Sequence, residues 1–476
     1  MNATLLAPIA GLDAFLADAA KLLSPGALLR GEACQPYEAD ASSCRGQAAA
    51  VLLPDDTATV SALMRAAVRH RVRLVPQGNR TGLVGGAVPD GSGRQVVLSL
   101  ARMRRLRAFD PLNRSAVAEA GMALSELNRL LEPHGLWLPI DVGSDPAIGG
   151  LIGANTGGSR LLRHGDVRRN LLGLEIVLAD EQGSVLDLLA PLRKRNAGID
   201  LKQLFVGSGG ALGVVTAAAW DLKRRDASVL TLLAALPSRA AALDVLDACE
   251  QRFGEMLSAF EVMGESALMA TLRHFPALRH PLAESAAGCY ALVEIASAMP
   301  GLDSMLQEQA ETLLATLLQR GLLIDAAFGR PDSLWALRDS LPLALAAEGL
   351  PLSFDVGLPR SRLPTFHAAA ERWLADEHPA LRLYDFGHFG DGGCHLIVLL
   401  PRECAAGYSP ARLAMLKSAL YRLVADHGGA FSAEHGVGPL NAAFYRKHTS
   451  DAAQELAAGL QRLLDPAAAL GRHRYD

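Results

Sequence analysis

Three glycine-rich segments in the first half of the chain constrain its fold more than any other feature. They are PQGNRTGLVGG (76–86), IGGLIGANTGG (148–158) and VGSGGALGVV (206–215). Glycine admits positive φ and lets backbone N–H groups approach a ligand, so each segment can form a nest for phosphate. Taken singly, each reads equally well as a set of tight turns. The third comes near a dinucleotide fingerprint, Gly207-Ser208-Gly209 followed by Gly213. It is followed by VVTAAAW, which is strand-like, whereas the fingerprint opens a helix. A nicotinamide-binding Rossmann domain is therefore disfavoured. The first segment lacks the Lys-Ser/Thr ending of a P-loop. Three such loops close together in sequence would suit one long ligand with a pyrophosphate and two ring systems.

The surrounding pattern is rich in strands. AAVLLP (49–54), VRLVP (72–76) and QVVLSL (95–100) read as strands, with a helix over 56–71 capped by Asp56 or Thr57. Hairpins are expected at 105–121, around Asp110-Pro111-Leu112-Asn113, and at 171–188, around Glu181–Gly183. A short helix (ALSELNRLLEPHG), a strand (LWLPI) and a closing strand at 213–222 complete this half. From about residue 226 strands alternate with longer amphipathic helices such as 302–321, which predicts an antiparallel sheet covered by helices. The tail from about 410 is mainly helical and carries FSAEHGVG (431–438) between two helices. The expected division is a helical lead-in over 1–45, a glycine-loop domain over 46–225, a sheet domain over 226–405 and a helical segment over 406–476.

A second constellation lies in FGHFGDGGCHLIV (386–398). His388 and His395 are seven residues apart, a poor spacing for one helix face, and an odd offset puts them on opposite sides of a straight strand. Gly390-Asp391-Gly392-Gly393 between them allows the loop to fold back, so that both rings face one point. Cys394 reads as a small packing residue.

The glycine segments, together with LPIDVG and HGDVRRNLLGLEIVL, resemble the FAD-binding domain of the vanillyl-alcohol-oxidase/p-cresol-methylhydroxylase superfamily. Within it the chain is most similar to D-2-hydroxyacid dehydrogenases of the D-lactate and D-2-hydroxyglutarate type, from about residue 30 to 465. The resemblance implies an α+β fold. It comprises a two-subdomain FAD-binding domain of the p-cresol-methylhydroxylase type, an antiparallel substrate (cap) domain, and a helical C-terminal segment returning to the flavin.

It also implies that Pro76, Gln77, Gly78, Asn79, Arg80, Thr81, Gly82 and Gly85 wrap the FAD pyrophosphate. Gly149, Gly150, Gly153, Asn155, Gly157 and Gly158 would line the flavin side, and Gly213, Val214 and Val215 the adenosine end. The first segment has no histidine or cysteine for covalent attachment, so FAD is expected to be non-covalent.

GHFGDGGCH and SAEHG match the family's GHxGDGNxH and SxEHG. That implies His388, His395 and Glu434 as ligands of a divalent metal, with zinc expected, and His435 as the base. The chemistry is coherent: two imidazoles and a carboxylate leave zinc an open position, although manganese or iron accept the same set. A metal-chelated 2-hydroxy acid would give its hydroxyl proton to a neutral histidine and its Cα hydride to flavin. WALRDSLP (335–342) resembles the helix carrying a carboxylate-binding arginine, here Arg338.

Several positions depart from that pattern. Gly393 stands where asparagine is usual, Pro342 for a threonine, Ser353 for a lysine, Gly209 for a glutamate, and GRHR (471–474) for NPGK. The expected activity is FAD- and metal-dependent oxidation of a small D-2-hydroxy acid. Electrons would pass to an external quinone, cytochrome or electron-transfer flavoprotein. The alternatives are an oxidase that uses O₂ and a flavin-binding subunit without catalysis.

Composition sets the remaining bounds. The net charge is −4 and the pI about 6.4, with no basic-aromatic interleaving, so no nucleic-acid partner is expected. No apolar run approaches the roughly 20 residues of a membrane span. The N-terminal MNATLLAPIAGLDAFLADAAKLL reads as an amphipathic helix and not a signal peptide, because Asp13 and Asp18 interrupt it. Six scattered cysteines without a C-x-x-C pair suggest reduced thiols and a cytoplasmic location. A homodimer is left open as the assembly.

Overall fold

The computed structural model describes residues 10–475; the first nine residues of the expected N-terminal helix lie outside the described residues. The helix runs over Ala10–Leu22 and packs against Thr57–His70. Asp56 caps the latter, its carboxylate accepting from Thr59 N–H, and Arg71 closes it in the left-handed conformation at φ 56°.

The first half builds two sheets. Strands Ala48–Leu52, Gln95–Ser99 and Leu74–Gln77 are parallel, with Leu28–Leu29 added antiparallel at one edge. The helix Thr57–His70 supplies the crossover that parallel strands require. Every residue of Gln95–Ser99 is buried, as expected of a parallel strand covered on both faces. The second sheet is antiparallel, in the order Leu106–Asp110, Ser115–Glu119, Val214–Asp221, Leu171–Val177, Val185–Asp187. Its core includes the fully buried Trp220. The two expected hairpins are its outer pairs. The strand expected over LWLPI is confined to Leu136–Trp137, paired with Lys223–Arg224.

The segment IGGLIGANTGG departs from its expected loop conformation. Ile148–Ala154 is a helix, ended by Asn155 in the left-handed conformation at φ 53°. Ile148, Leu151 and Ile152 stand at i, i+3 and i+4 and bury completely. That apolar stripe outweighs the helix cost of three glycines, about 1 kcal/mol each. Glycine is also sterically required: a Cβ on Gly149 would meet Ala120 Cβ at 3.0 Å.

The second half centres on one seven-stranded antiparallel sheet. Its order is Asp325–Gly329, Ser228–Leu236, Cys289–Ser297, Leu257–Gly264, Arg382–Gly387, Gly393–Leu400, Leu350–Gly357. Both faces are covered. Leu396, Val398 and Leu400 point to the helices that carry Phe253, Phe366 and Leu420. Ile397 and Leu399 point the other way, with Phe386, toward Leu337, Leu341 and Leu345. His395 shares their alternation. Direct cross-strand pairing with Phe386 on one side and Asp355 on the other fixes it there. The tail adds helices Pro410–Asp426, Gly438–His448 and Asp451–Leu464. The chain then returns to the first half, where Leu470 bridges Leu74 in parallel.

Candidate active site

A cavity of about 480 Å³ runs between the glycine segments and the seven-stranded sheet, within the roughly 300–1,000 Å³ of small-molecule sites. From the first segment it is lined by Pro76, Gln77, Gly78, Asn79, Arg80, Thr81 and Gly82; from the second by Gly149, Gly150, Gly153 and Gly158; from the third by Gly213, Val214 and Val215. Arg338, His388, His395, Glu434 and His435 line it as well.

Three expected cofactor residues do not. Gly85 is a turn residue at φ 74°, and its missing Cβ leaves room for Cys44 Sγ. Asn155 spends its side chain locally, donating to Asp166 Oδ2 at 2.9 Å and accepting from Arg168 N–H at 3.1 Å. Gly157 is packed against Leu161. Asn79 lines the cavity, but its amide donates to the Asp145 carbonyl at 2.9 Å, tying the first segment to the next wall.

That wall, Asp141–Ala147, carries no assigned role in the sequence reading, yet Asp141, Val142, Gly143, Ser144, Pro146 and Ala147 line the cavity. Ser208, Gly209, Gly210 and His473 do so too. At the third segment glycine is conformationally required. Gly207, Gly209 and Gly210 have φ of 78°, 62° and 76°, in the region side chains avoid.

The loop between the two histidines folds back as its glycines allow. Gly392 within it takes a φ of 93°, and Gly387, the strand residue just before His388, takes 131°; the His388 and His395 ring centroids come within 5.2 Å. Both rings turn Nε2 toward Glu434, at 3.4 Å for His388 and 4.0 Å for His395. Their ligand atoms lie within 4.8 Å of one another. His388 Nδ1 is held at 2.7 Å by Glu261 Oε1. That contact fixes the ring and turns Nε2 toward Glu434 and Arg338 Nη2, the ring orientation of carboxylate–histidine–metal arrangements. The donor set fits a divalent metal with open positions.

Glu434 and His435 are presented by a turn wrapped around one carboxylate. Asp355 Oδ2 accepts from the N–H groups of Ala433 (3.1 Å), Glu434 (2.9 Å) and His435 (2.7 Å). The His435 ring stacks on His395 at 5.6 Å and 10°, with its Nδ1 3.7 Å from Asp355 Oδ2. Asp355, His395 and His435 are close enough to form a second triple of ligand atoms. Asp355 Oδ2 is committed to backbone donors, while its Oδ1 is buried without a hydrogen-bond partner among the described residues and lies 3.8 Å from His395 Nδ1, so the anchor keeps one oxygen turned to the second triple.

Arg338 is nearly enclosed. Its Nε donates to Glu261 Oε2 at 2.8 Å, its Nη2 lies 3.4 Å from His388 Nε2, and it stacks over Phe386. Glu261 thus holds both the arginine and a metal-ligating histidine. Burial opposes its charge, but His388 and Arg338 outweigh that and hold its pKa at about 2. Burial likewise opposes a charged His388, yet Glu261 and Glu434 hold its pKa well above the ordinary value. His395 goes the other way, to about 4, through burial and the neighbouring charge of His388. A metal ligand must be a neutral imidazole: His395 meets this as it stands, whereas His388, charged between two carboxylates, would release its Nε2 proton on binding a metal.

The departures fall in different places. Pro342 and Ser353 are exposed and do not line the cavity. Gly393 is buried outside it, and a Cβ there would meet Asp391 Oδ1 at 3.0 Å. Glu261 and Asp355 are missing from the sequence reading. Their signal is a single carboxylate in an otherwise apolar strand, LSAFEVMG and LSFDVG.

Residues 225–474 match the family described as "FAD linked oxidases, C-terminal domain", and residues 48–188 match "FAD binding domain". The chain is 33% identical to the mitochondrial D-2-hydroxyglutarate dehydrogenase of Arabidopsis thaliana, over 90% of this chain and 75% of that protein. It is 34% identical to the mitochondrial D-2-hydroxyglutarate dehydrogenase of Rattus norvegicus, over 90% and 78%. In fold it is similar to p-cresol methylhydroxylase with substrate bound, at a TM-score of 0.73 and 14% identity, covering 96% of this chain and 95% of that one.

Proposed function

We propose, from the premise that the chain belongs to the FAD-linked oxidases of the D-2-hydroxyacid dehydrogenase type, that it oxidises a monocarboxylic D-2-hydroxy acid to the 2-oxo acid with the help of a divalent metal. The observation that carries this reading is convergence. The His388–His395–Glu434 donor set, Arg338 and His435 open onto the same cavity as the three glycine segments.

The glycine segments and the Asp141–Ala147 wall would hold FAD without a covalent bond, and FAD there would supply hydride-accepting capacity beside the substrate's Cα, with an external carrier as the onward electron acceptor. His388, His395 and Glu434 would hold zinc or a similar ion, which would supply Lewis acidity toward the substrate hydroxyl. Arg338, held at Nε by Glu261, binds the substrate carboxylate with its Nη1 and Nη2 end, which lies 3.7 Å from Asp339 and 3.4 Å from His388. His435 takes the hydroxyl proton, aimed by its stack on His395 and by the Asp355-anchored turn. The substrate is a small molecule. The six unbridged cysteines suit a reducing compartment such as the cytoplasm.

The monocarboxylic preference rests on what borders the donor set. Among the residues that line the cavity the arginines and lysines are Arg80, in the first glycine segment, and Arg338. With Arg80 assigned to FAD and Arg338 to the substrate's own carboxylate, a distal carboxylate desolvated there without a cation costs several kcal/mol. The relatives' names favour a second reading, a 2-hydroxyglutarate-like dicarboxylate. Anaerobic flavin bleaching by D-lactate, D-2-hydroxyisocaproate, D-mandelate and D-2-hydroxyglutarate separates the two. Monocarboxylates should be favoured by at least about tenfold in kcat/KM, equivalent to about 1.4 kcal/mol. A tenfold preference for the dicarboxylate would establish the second reading, and no bleaching by any acid would leave a flavin-binding subunit without catalysis.

A further inference from the structure

The short helix Leu161–His164 follows the second glycine segment and is seated against the seven-stranded sheet of the other half. Leu162 reaches the histidine loop, where a Cβ on Gly390 would meet its Cδ1 at 2.6 Å. Arg163 pairs with Asp226 at 2.6 Å. Arg160, just before the helix, is largely buried and has no part in the site described above. Its Nε and Nη2 grip Glu294 Oε1 and Oε2 at 2.8 and 3.0 Å, a bidentate pair. Its Nη1 pairs with Asp141, which belongs to the cavity wall.

Glu294 is buried in the strand Cys289–Ser297, and its Oε2 also accepts from Trp335 Nε1–H at 2.9 Å. The Arg160 guanidinium lies over the Trp335 ring, 5.3 Å from its centroid. Trp335 is therefore fixed twice, through the face of its ring and through the acceptor of its N–H. Trp335 and Arg338 stand at i and i+3 on the helix Pro331–Asp339, on one side of it. The carboxylates they meet share a sheet face as well. Glu294 pairs across with Ala259, and Ala259 and Glu261 are two apart on one strand. The helix is thus held to the sheet at two points one turn apart, Trp335 on Glu294 and Arg338 on Glu261. Arg160 ties the first of them to the glycine-segment half.

We infer that Arg160 is a positioning residue for the substrate carboxylate: through Glu294 and Trp335 it fixes the helix that presents Arg338, and so sets that cation relative to the wall containing Asp141. This rests on the reading of Arg338 as the carboxylate-binding cation. A guanidinium meets a carboxylate bidentately in one plane and direction only, so a small rotation of its helix weakens the contact. Without Arg160 the buried Glu294 loses its charge partner, and the Trp335 anchor loosens with it. Arg160 does not itself line the cavity, so its loss falls on substrate binding and not on the hydride step.

The test is anaerobic reduction of the FAD-loaded protein by D-lactate, or by D-2-hydroxyglutarate where D-lactate does not reduce the parent. It is read as a half-saturating concentration and a limiting rate, with flavin content and melting recorded for every variant. Arg338→Gln tests the underlying reading and should raise the half-saturating concentration at least about tenfold. No rise there, or a parent reduced by neither acid, overturns that reading and this inference together. Arg160→Gln should raise it about tenfold with the limiting rate within about threefold of the parent, and Arg160→Lys should fall between. In the Arg338→Gln background Arg160→Gln should add nothing, because both act through one contact. Arg163→Gln, which cuts the other tie of the same segment, should stay within about threefold of the parent. A parental value in Arg160→Gln, a full further rise in the Arg338→Gln background, or an equal rise in Arg163→Gln would each overturn the role of Arg160 while leaving that of Arg338 standing. Should Arg160→Gln fail to fold, Trp335→Phe decides. It keeps an aromatic ring and loses the N–H donated to Glu294, so it should raise the half-saturating concentration at least about threefold. A parental value there would refute the inference.

Discussion

Glu261 and His388 lie 127 residues apart in sequence and meet at 2.7 Å, a carboxylate of one buried strand against Nδ1 of a ring on a glycine loop. The same carboxylate holds Arg338 at 2.8 Å. One residue therefore positions both a metal ligand and the substrate-binding cation. Glu261→Gln keeps the shape and loses the charge. It should lower metal affinity about 10–100-fold and raise KM, with bound FAD unchanged, because the glycine segments lie elsewhere. Metal content by elemental analysis, read with flavin absorbance on the same sample, checks this.

His388→Ala removes a ligand outright. The protein should lose stoichiometric metal and turnover while keeping FAD. Chelator treatment of the parent should do the same reversibly, with zinc or manganese restoring activity. An active preparation without stoichiometric metal would defeat the metal assignment.

Asp355→Ala strips the acceptor from the N–H groups of residues 433–435. Hydrogen bonds to a charged acceptor contribute about 1.5–3 kcal/mol each, and neighbouring ones do not add fully. The turn bearing Glu434 and His435 should lose its order. kcat should fall at least about a hundredfold, more than about 2.7 kcal/mol in barrier. Hydrogen exchange at 432–436 should rise while exchange in Gln95–Ser99 stays unchanged.

Stability should depend on pH through a network away from the metal. His367 lies 3.1 Å from Asp385, which also pairs with Arg239, and Glu371 lies 3.4 Å from the other ring nitrogen. Burial opposes the charge on His367, but Asp385 outweighs it and raises the pKa from 6.5 to about 8. A raised histidine stabilises the fold fully below 6.5, and the contribution is lost as pH rises through about 8. Asp385 is held well below its ordinary 3.8, chiefly by His367 and Arg239 against burial, so its contribution is lost only as pH falls below that value. Denaturant unfolding at pH 6 and pH 9 should differ by about 2 kcal/mol in the parent through His367, and by less in His367→Gln. An equal difference in both proteins would remove the assignment.

Acid denaturation should release all flavin into the supernatant, since no histidine or cysteine lies in the first segment. Colour retained in the pellet would mean covalent attachment.

Local signals made much of this legible. The hairpins, the alternating strands after 226 and the capped helix at 57–70 each follow from spacing within a few residues. Ile148–Ala154 reads as a loop in the sequence, because the apolar stripe that makes it a helix is worth little until the sheet beneath it exists. Gly85, Asn155 and Gly157 carry the right residue types but do not line the cavity, and no spacing rule reports which residues of a loop reach its ligand-facing surface.

By itself the sequence determined the chemistry available: two histidines flanking a flexible loop, a Glu-His pair, and glycines where backbone must approach a ligand. Those are properties of residue type and short spacing. Only the tertiary structure decided which groups hold them in place. Glu261, Asp355 and Arg160 act across 77 residues or more, Glu261 on Arg338, Asp355 on Ser432 and Arg160 on Glu294. Such pairings depend on sheet register and chain return, which are set by burying whole faces at once rather than by any neighbouring residue.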